Sequence, residues 1–188
     1  MLGGTGLNMT IGLKQGTVRL EAYTPSWTRR FAAEKRRLAH YLPARGVHLE
    51  HIGSTAVPGL AAKPIIDIAI AIPSFKRLTA TTKALVRSGY TYKGEYGLSG
   101  RHFFTLGDPV TIHLHLVEPT SEHWVKWLAF RDYLITWPKE AARYDRFKHT
   151  LARRFANNRD GYTKAKSPFI DAMLAKALKK DKIPPEAS

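Results

Sequence analysis

The sequence predicts an α+β fold, of the mixed α/β kind, in which a mixed sheet follows one N-terminal helix and precedes a C-terminal helical cap. Three observations support this prediction. A helical pattern of large apolar residues comes first, short β-rich segments occupy residues 47–117, and the last third returns to helical spacing. Because 188 residues suffice for one compact core, we expect a single domain at residues 17–180, with flexible tails at residues 1–16 and 181–188.

The first helix is indicated by its start signals and by its period. Thr24 can cap the helix, Pro25 suits its first position, and Pro43 marks the end of the segment. Four large residues recur near helical spacing between these signals: Trp27, Phe31, Leu38 and Tyr41. The outer face of this helix is basic.

Strands follow in the middle of the chain. A short strand at residues 47–52 ends at a turn-rich segment that begins with Gly53, and the next strand, residues 65–72, is almost continuously apolar. A strand of that composition is typical of a sheet's centre, where both faces are covered. After a helix at residues 79–88, β-branched and aromatic residues predict three more strands, at residues 90–93, 102–106 and 110–117.

Helices occupy the last third of the chain. Large apolar residues at helical spacing predict two helices, and Pro138 separates them. A final helix is predicted from about Asp160, with Pro168 expected to bend or restart it.

Composition limits the partners and the compartment. The 30 Lys and Arg residues exceed the 15 Asp and Glu residues, which gives a formal net charge of +15 and favours polyanionic partners. The absence of cysteine excludes disulfides, thiolate zinc sites and cysteine nucleophiles, and it fits a cytoplasmic protein. No apolar run approaches the roughly 20 residues that cross a bilayer, so no membrane association is expected. The oligomeric state is left open.

Asp67 is the first candidate for chemistry. Its carboxylate interrupts the apolar strand at residues 65–72, where desolvation of a charge is costly without a cation or several donors. A structural explanation is a salt bridge to Lys63 or an arginine, or an edge position that reaches water. A functional explanation joins Asp67 to the preceding turn, where backbone N–H groups at Gly53 and the Ser54 hydroxyl can cradle a phosphate. Together they have the arrangement that phosphoryl chemistry needs.

The run at residues 50–68, EHIGSTAVPGLAAKPIIDI, resembles the signature of the GrpB family, a branch of the DNA polymerase beta-like nucleotidyltransferase superfamily. The resemblance extends over residues 100–104, 113–118 and 128–134, and covers almost all of the chain from about residue 18 to residue 178. It implies a nucleotidyltransferase-like mixed sheet. It also implies transfer of a nucleoside monophosphate from a nucleoside triphosphate, the substrate, to a hydroxyl, with divalent metals held by acidic residues.

On this resemblance Gly53 and Ser54 match the superfamily's Gly-Ser turn, and Asp67 matches its first carboxylate. The sequence departs from the pattern two positions later, where Ala69 stands in place of the usual second acidic residue. Glu50 precedes the turn, and His113 and His115 have strand spacing that places both imidazoles on one face.

Two groups of residues extend the candidate site. The catalytic candidates are Asp67 and Glu50. The candidates for metal ligands are Asp67, His113 and His115. Glu50 or one of the histidines is expected to complete the metal coordination or to act as the base. The metal is expected to be magnesium or manganese, with zinc favoured if imidazoles predominate. Phosphate binding is expected from the turn and from basic side chains. These candidates are Gly53, Ser54, Thr55, Lys63 and Arg101, with Arg131 and Lys166 as weaker ones.

Three hypotheses for function follow. The first is a metal-dependent nucleotidyltransferase with an unidentified acceptor, against which Ala69 is the main sequence evidence. The second is a nucleotide- or phosphate-binding module, for a phosphorylated small molecule, that has lost transfer activity and serves in folding or interaction. The third is RNA binding, suggested by the net charge and by the basic first helix.

Overall fold

A computed structural model describes residues 11–14, 16–43 and 45–180 of the protein. Most of the two predicted tails, residues 1–10 and 181–188, lies outside the described residues. The helices are α1 (Ser26–Leu38), α2 (Leu78–Arg87), α3 (Glu122–Thr136), α4 (Pro138–Arg154) and α5 (Arg159–Lys180). The strands are β1 (His48–Ile52), β2 (Ile66–Ala71), β3 (Thr91–Tyr92), β4 (His102–Leu106) and β5 (Ile112–Val117). The predicted α+β fold, with its N-terminal helix and its helical cap, is confirmed.

The strands form one mixed sheet in the order β1-β2-β5-β4-β3. The two central strands, β2 and β5, are parallel, and every other neighbouring pair is antiparallel. The register places Ile52 and His113 directly opposite Asp67, on the two strands that flank β2. The end of β1, the carboxylate of β2 and the first histidine of β5 therefore meet in one row across the sheet.

The two faces of the sheet differ because side chains alternate along each strand. Apolar residues of β2, β4 and β5 form one face and pack against α1 and α2 in the main core, which includes Trp27, Leu38, Ile68, Leu85, Phe104 and Leu114. The opposite face is polar. It carries Glu50, Asp67, His113 and His115, and the helical cap contacts this side of the sheet through α3 and α5.

The cap has its own core. Residues of α3, α4 and α5 pack together with the loop that follows the turn at Gly53, through Val57, Leu60, Tyr133, Leu134, Tyr144, Met173 and Ala177. Pro138 separates α3 from α4, as predicted. The prediction for Pro168 as a restart is wrong, since α5 is assigned as one helix with this proline inside it. A proline removes only one backbone hydrogen bond from a helix, and packing against α3 and α4 keeps the remaining turns in place.

The N-terminal part of the described chain differs in two details from the predictions. Thr24 accepts a hydrogen bond from the Ser26 N–H at 3.2 Å. Pro25, predicted at the first helical position, lies one residue before the helix begins. Leu13, in the predicted flexible tail, is buried and forms a β-bridge with Val110. The described part of that tail therefore packs against the domain. None of the described helices has the length and hydropathy that a membrane span requires.

Candidate phosphate site on the polar face of the sheet

The turn at Gly53 passes directly over the carboxylate of Asp67. Gly53 has φ 71° and ψ −172°, a combination that essentially only glycine adopts. A Cβ atom at this position would lie 2.7 Å from Asp67 Oδ2 and 3.2 Å from Asp67 Cβ. The turn therefore requires glycine for two reasons: its backbone conformation and its close approach to β2.

Asp67 lies between two imidazoles of β5. His113 Nδ1 is 3.0 Å from Asp67 Oδ1, and His115 Nε2 is 3.8 Å from the same oxygen. The parallel register explains the contact, because Asp67 is opposite His113 and the next residue on that face of β5 is His115. The side chain of Asp67 is 28% exposed, so part of it faces solvent.

Arginines flank both histidines on the side away from Asp67. Arg159 Nη2 is 3.0 Å from His113 Nε2, and Arg101 Nη1 is 3.5 Å from His115 Nδ1. A guanidinium has only donors, so each of these ring nitrogens accepts a hydrogen bond and each proton of the two neutral rings lies on the nitrogen that faces Asp67. His113 thus donates to the carboxylate while Arg159 donates to His113.

This arrangement determines the protonation of the centre. Burial alone would raise the pKa of the Asp67 carboxyl, but the hydrogen bond from His113 and the nearby imidazole of His115 outweigh it and hold that pKa well below its usual range. Burial lowers the pKa of His115, and the nearby carboxylate opposes that effect only in part. The centre is therefore an ionised carboxylate that accepts a hydrogen bond from His113, beside a His115 ring whose charged form burial disfavours.

A second group of cations lies next to this centre. Lys63 Nζ and Lys166 Nζ lie 5.6 and 5.3 Å from the centroid of the same Tyr162 ring. Burial, followed by repulsion from Lys166 and Arg159, lowers the pKa of Lys63 to about 7, against a smaller opposing effect of Asp67. Among the described residues, none of these three cations forms a salt bridge. The cluster has an excess of positive charge.

The two residues that follow Gly53 differ in position. The Ser54 side chain lies close to the phenol of Tyr144, a buried residue of α4. Thr55 is 1% exposed, and its hydroxyl is 3.0 Å from His51 Nε2, whose ring stacks on Phe31 of α1. The Thr55 side chain is thus buried against His51. Ser54 stays beside the site, but Thr55 can contribute only its backbone.

Glu50 and Arg131 are paired with each other. Glu50 Oε2 is 2.6 Å from Arg131 Nη1, and the same guanidinium donates to the carbonyl of His51 and to Asp132. Ala69, where the superfamily pattern has a second carboxylate, is fully buried between Glu50 and His115 in the register. Glu50 is therefore on the same face as Asp67, but its charge is compensated by α3.

The hydrogen bonds of Asp67, His113 and His115 bear on whether these residues can bind a metal ion. A metal at Asp67, His113 and His115 needs a lone pair on the ring nitrogens that face the carboxylate, and the arginines assign protons to those nitrogens. Within residues 11–14, 16–43 and 45–180, no group of three or more His, Cys, Asp or Glu side chains has the geometry of a metal site. In this arrangement the two ring nitrogens that face Asp67 have no lone pair for a metal ion, and binding of a metal by these ligands remains an untested prediction.

Sequence reasoning missed two residues of this region. Arg159 begins α5 and reaches His113 across a separation of 46 positions, and no local pattern relates the two. Tyr96 lies in the loop before β4 and stacks on Phe103, whose ring contacts both histidines. A cluster of glycines around Tyr96, at positions 94, 97 and 100, was the available signal for an ordered loop with unusual backbone angles.

Comparisons with known proteins agree on one family. The profile of the GrpB protein family matches residues 17–176. A UPF0157 protein of Pseudomonas aeruginosa is 38% identical over 162 residues, which cover 82% of this chain and 65% of that protein. The UPF0157 protein YqkA of Bacillus subtilis is 34% identical over 154 residues, which cover 81% of this chain and 45% of that protein. This chain thus spans just under two thirds of the first relative's length and less than half of the second's.

A solved structure is similar over nearly its whole length. The crystal structure of the conserved protein GrpB from Enterococcus faecalis matches with a TM-score of 0.79 and 36% sequence identity. The match covers 86% of this chain and 98% of that chain.

Proposed function

This chain is a member of the GrpB family, and we propose that it binds a nucleotide through its phosphate groups in the cleft beside Asp67. The proposal rests on one observation: Lys63, Lys166 and Arg159 converge on the polar face of the sheet without a carboxylate partner in the described structure. Like charges held this close repel one another, so a bound polyanion would relieve a cost that the free protein bears.

The turn and the cations have complementary tasks in this proposal. The glycine turn brings its backbone close to β2, where N–H groups of the turn would donate to phosphate oxygens. Lys63, Lys166 and Arg159 supply charge, and Arg159 can form the bidentate contacts with phosphate that lysine cannot. Asp67 repels an anion, but the three cations outnumber it and His113 donates a hydrogen bond to it.

Binding is tested with inorganic tripolyphosphate and with ATP, GTP, CTP and UTP, each alone and with magnesium, manganese or zinc. A ligand at about 100 times its dissociation constant should stabilise the folded protein by about 2.7 kcal/mol. Lys63→Ala and Lys166→Ala should each weaken binding about tenfold or more, since each removes a charge-assisted hydrogen bond. Arg30→Ala, which removes an exposed cation from α1, is the matched control and should leave binding unchanged.

The proposal fails if no phosphate ligand stabilises the wild type, or if Arg30→Ala weakens binding as much as the two lysine variants. RNA binding, predicted from the net charge, is distinguished in the same assay by ionic strength. The affinity of an RNA backbone falls steeply with salt, whereas a compact nucleotide site responds less.

Nucleotidyl transfer is the second candidate, and the contact between Asp67 and His113 favours it. His113 carries its proton on the nitrogen that faces the carboxylate, so its other nitrogen can act as a base once Arg159 has turned to a bound phosphate. In the transfer step an acceptor hydroxyl oxygen bonds to the α-phosphorus, and its proton passes to His113 Nε2. The bond between the α-phosphorus and the bridging oxygen breaks, and pyrophosphate leaves.

Transfer is tested with nucleoside triphosphates labelled at the α-phosphate, a cell-free metabolite extract as the acceptor source, and each divalent metal in turn. Label on an acceptor and release of pyrophosphate, both lost in His113→Asn, would establish transfer. Binding without any transfer, with every triphosphate and metal, would favour the alternative of a nucleotide- or phosphate-binding module that no longer catalyses the reaction.

A further inference from the structure

We propose that Tyr96 is a stacking platform for the nucleobase of the ligand whose phosphates bind beside Asp67. This inference rests on the proposed nucleotide binding and adds the part of the ligand that phosphate contacts leave unrecognised. It assigns a role to a residue on the loop at residues 94–100, outside the strands and helices that carry the phosphate site.

Tyr96 presents an open aromatic face. Its ring stacks on Phe103 with centroids 5.1 Å apart and an angle of 20° between the planes. It is nevertheless 65% exposed, more than any other large hydrophobic side chain in the described part of the chain. One face of the ring is therefore supported from below, and the other is accessible to a planar group.

The stack leads directly to the phosphate site. The Phe103 ring that supports Tyr96 lies 5.3 Å from the His113 ring and 5.2 Å from the His115 ring, measured between centroids. Phe103 and the two histidines are on the same face of the sheet, because Phe103 is opposite His115 in the register. A ligand with an anionic part beside the histidines and a planar part on Tyr96 would span adjacent positions on one surface.

The loop holds Tyr96 in a conformation that costs free energy. Tyr96 has φ 49°, in the left-handed region that a residue with a Cβ adopts only when other contacts enforce it. Arg101 supplies those contacts, because its buried guanidinium donates to the carbonyl of Tyr96 at 2.7 Å and to the carbonyl of Glu95 at 2.9 Å. The Gly100 N–H donates to the Glu95 carboxylate at 2.8 Å.

An exposed aromatic ring that is rigidly held at an energetic cost is preorganised for binding rather than for packing. Stacking accepts any base, since every base has a π-face, and so Tyr96 is expected to raise the affinity for all nucleotides without selecting one. Arg101, predicted from the sequence to bind phosphate, acts in this inference by positioning the platform.

The experiment compares ATP with inorganic tripolyphosphate by calorimetric titration of the full chain. The variants are Tyr96→Gly, Tyr96→Phe and Tyr41→Ala, the last removing a tyrosine that follows the end of α1 and is 42% exposed. Tyr96→Gly removes the ring and suits the backbone, so its midpoint of thermal unfolding should equal or exceed that of the wild type. This variant should bind ATP at least about fivefold more weakly than the wild type and should bind tripolyphosphate with unchanged affinity.

Tyr96→Phe and Tyr41→Ala should both bind ATP like the wild type. The inference is overturned if Tyr96→Gly leaves the ratio of the two affinities unchanged, or if the wild type binds ATP no more tightly than tripolyphosphate. Neither result would contradict the proposed binding of phosphate groups beside Asp67. If the wild type binds neither ligand, the proposed function and this inference are both wrong.

Discussion

Replacing Gly53 with alanine tests the central contact of the site, the passage of the turn over the Asp67 carboxylate. The change adds one methyl group at a residue with φ 71° and ψ −172°. That group would lie 2.7 Å from Asp67 Oδ2 and 3.3 Å from Asp67 Cγ. The carboxylate cannot swing away freely, because His113 donates a hydrogen bond to its other oxygen.

Two costs determine the magnitude. Holding a residue with a Cβ in this region of backbone angles costs of order 1–3 kcal/mol, and forcing a methyl group into an occupied space costs about 1–3 kcal/mol more. We therefore expect Gly53→Ala to lower the free energy of unfolding by about 2–6 kcal/mol.

Gly59→Ala is the matched control. Gly59 has φ 79°, close to that of Gly53, but within the described residues no atom beyond its chain neighbours lies within 4 Å of an added Cβ. Only the backbone cost applies there, about 1–2 kcal/mol. Urea denaturation of both variants measures the difference, and tripolyphosphate titration should show a loss of binding in Gly53→Ala alone. Equal destabilisation of the two variants would refute the argument that the turn packs against Asp67.

Three further predictions concern buried ionisable groups. Lys63, with its pKa lowered to about 7, loses its charge as the pH rises from 6 to 8.5. The tripolyphosphate affinity of Lys63→Arg relative to the wild type should therefore increase over that range, and a constant ratio would exclude Lys63 from the site. Burial lowers the pKa of Lys148 from 10.5 to about 7, so the unfolded chain binds more protons than the folded one above pH 7. Raising the pH from 7.5 to 9.5 should therefore increase the free energy of unfolding of the wild type, measured in urea, by on the order of 2 kcal/mol more than that of Lys148→Met. An equal dependence of the two unfolding free energies on pH would contradict the lowered pKa of Lys148. Tyr90→Phe removes a hydroxyl that donates to Glu34 at 2.8 Å, while Arg37 still binds both oxygens of that carboxylate. Its cost in urea denaturation should be about 1 kcal/mol, and a loss above about 3 kcal/mol would mean that Arg37 does not hold Glu34.

The strands and their facing side chains were predictable because they depend on local periodicity. The continuous apolar run at residues 65–72 predicted a central strand, and β2 has strands on both sides and both faces covered. The spacing of His113 and His115 predicted two imidazoles on one face of a strand, which the contacts with Asp67 confirm. Period-two alternation is a property of the extended backbone itself, so it can be read without knowing what packs nearby.

The proximity of Gly53 and Asp67 was also predictable, because the turn leaves one strand shortly before the next begins. The partners of the charged and polar residues were not predictable from the sequence. Glu50 pairs with Arg131, 81 positions away, and Thr55 turns towards His51 instead of the cleft. Neither outcome follows from spacing, since it depends on how α3 and α1 pack against opposite faces of the sheet.

The sequence by itself determined the element types, the central strand, the glycine turn and the polar row on one face of the sheet. Only the tertiary structure placed Arg159 on His113 and Lys166 beside Lys63, and only it showed that Tyr96 stacks on Phe103. The physical reason is the range of the interactions involved. Backbone periodicity acts over a few residues, whereas the charge balance of a site is the sum over every group that the packed chain brings within a few ångströms.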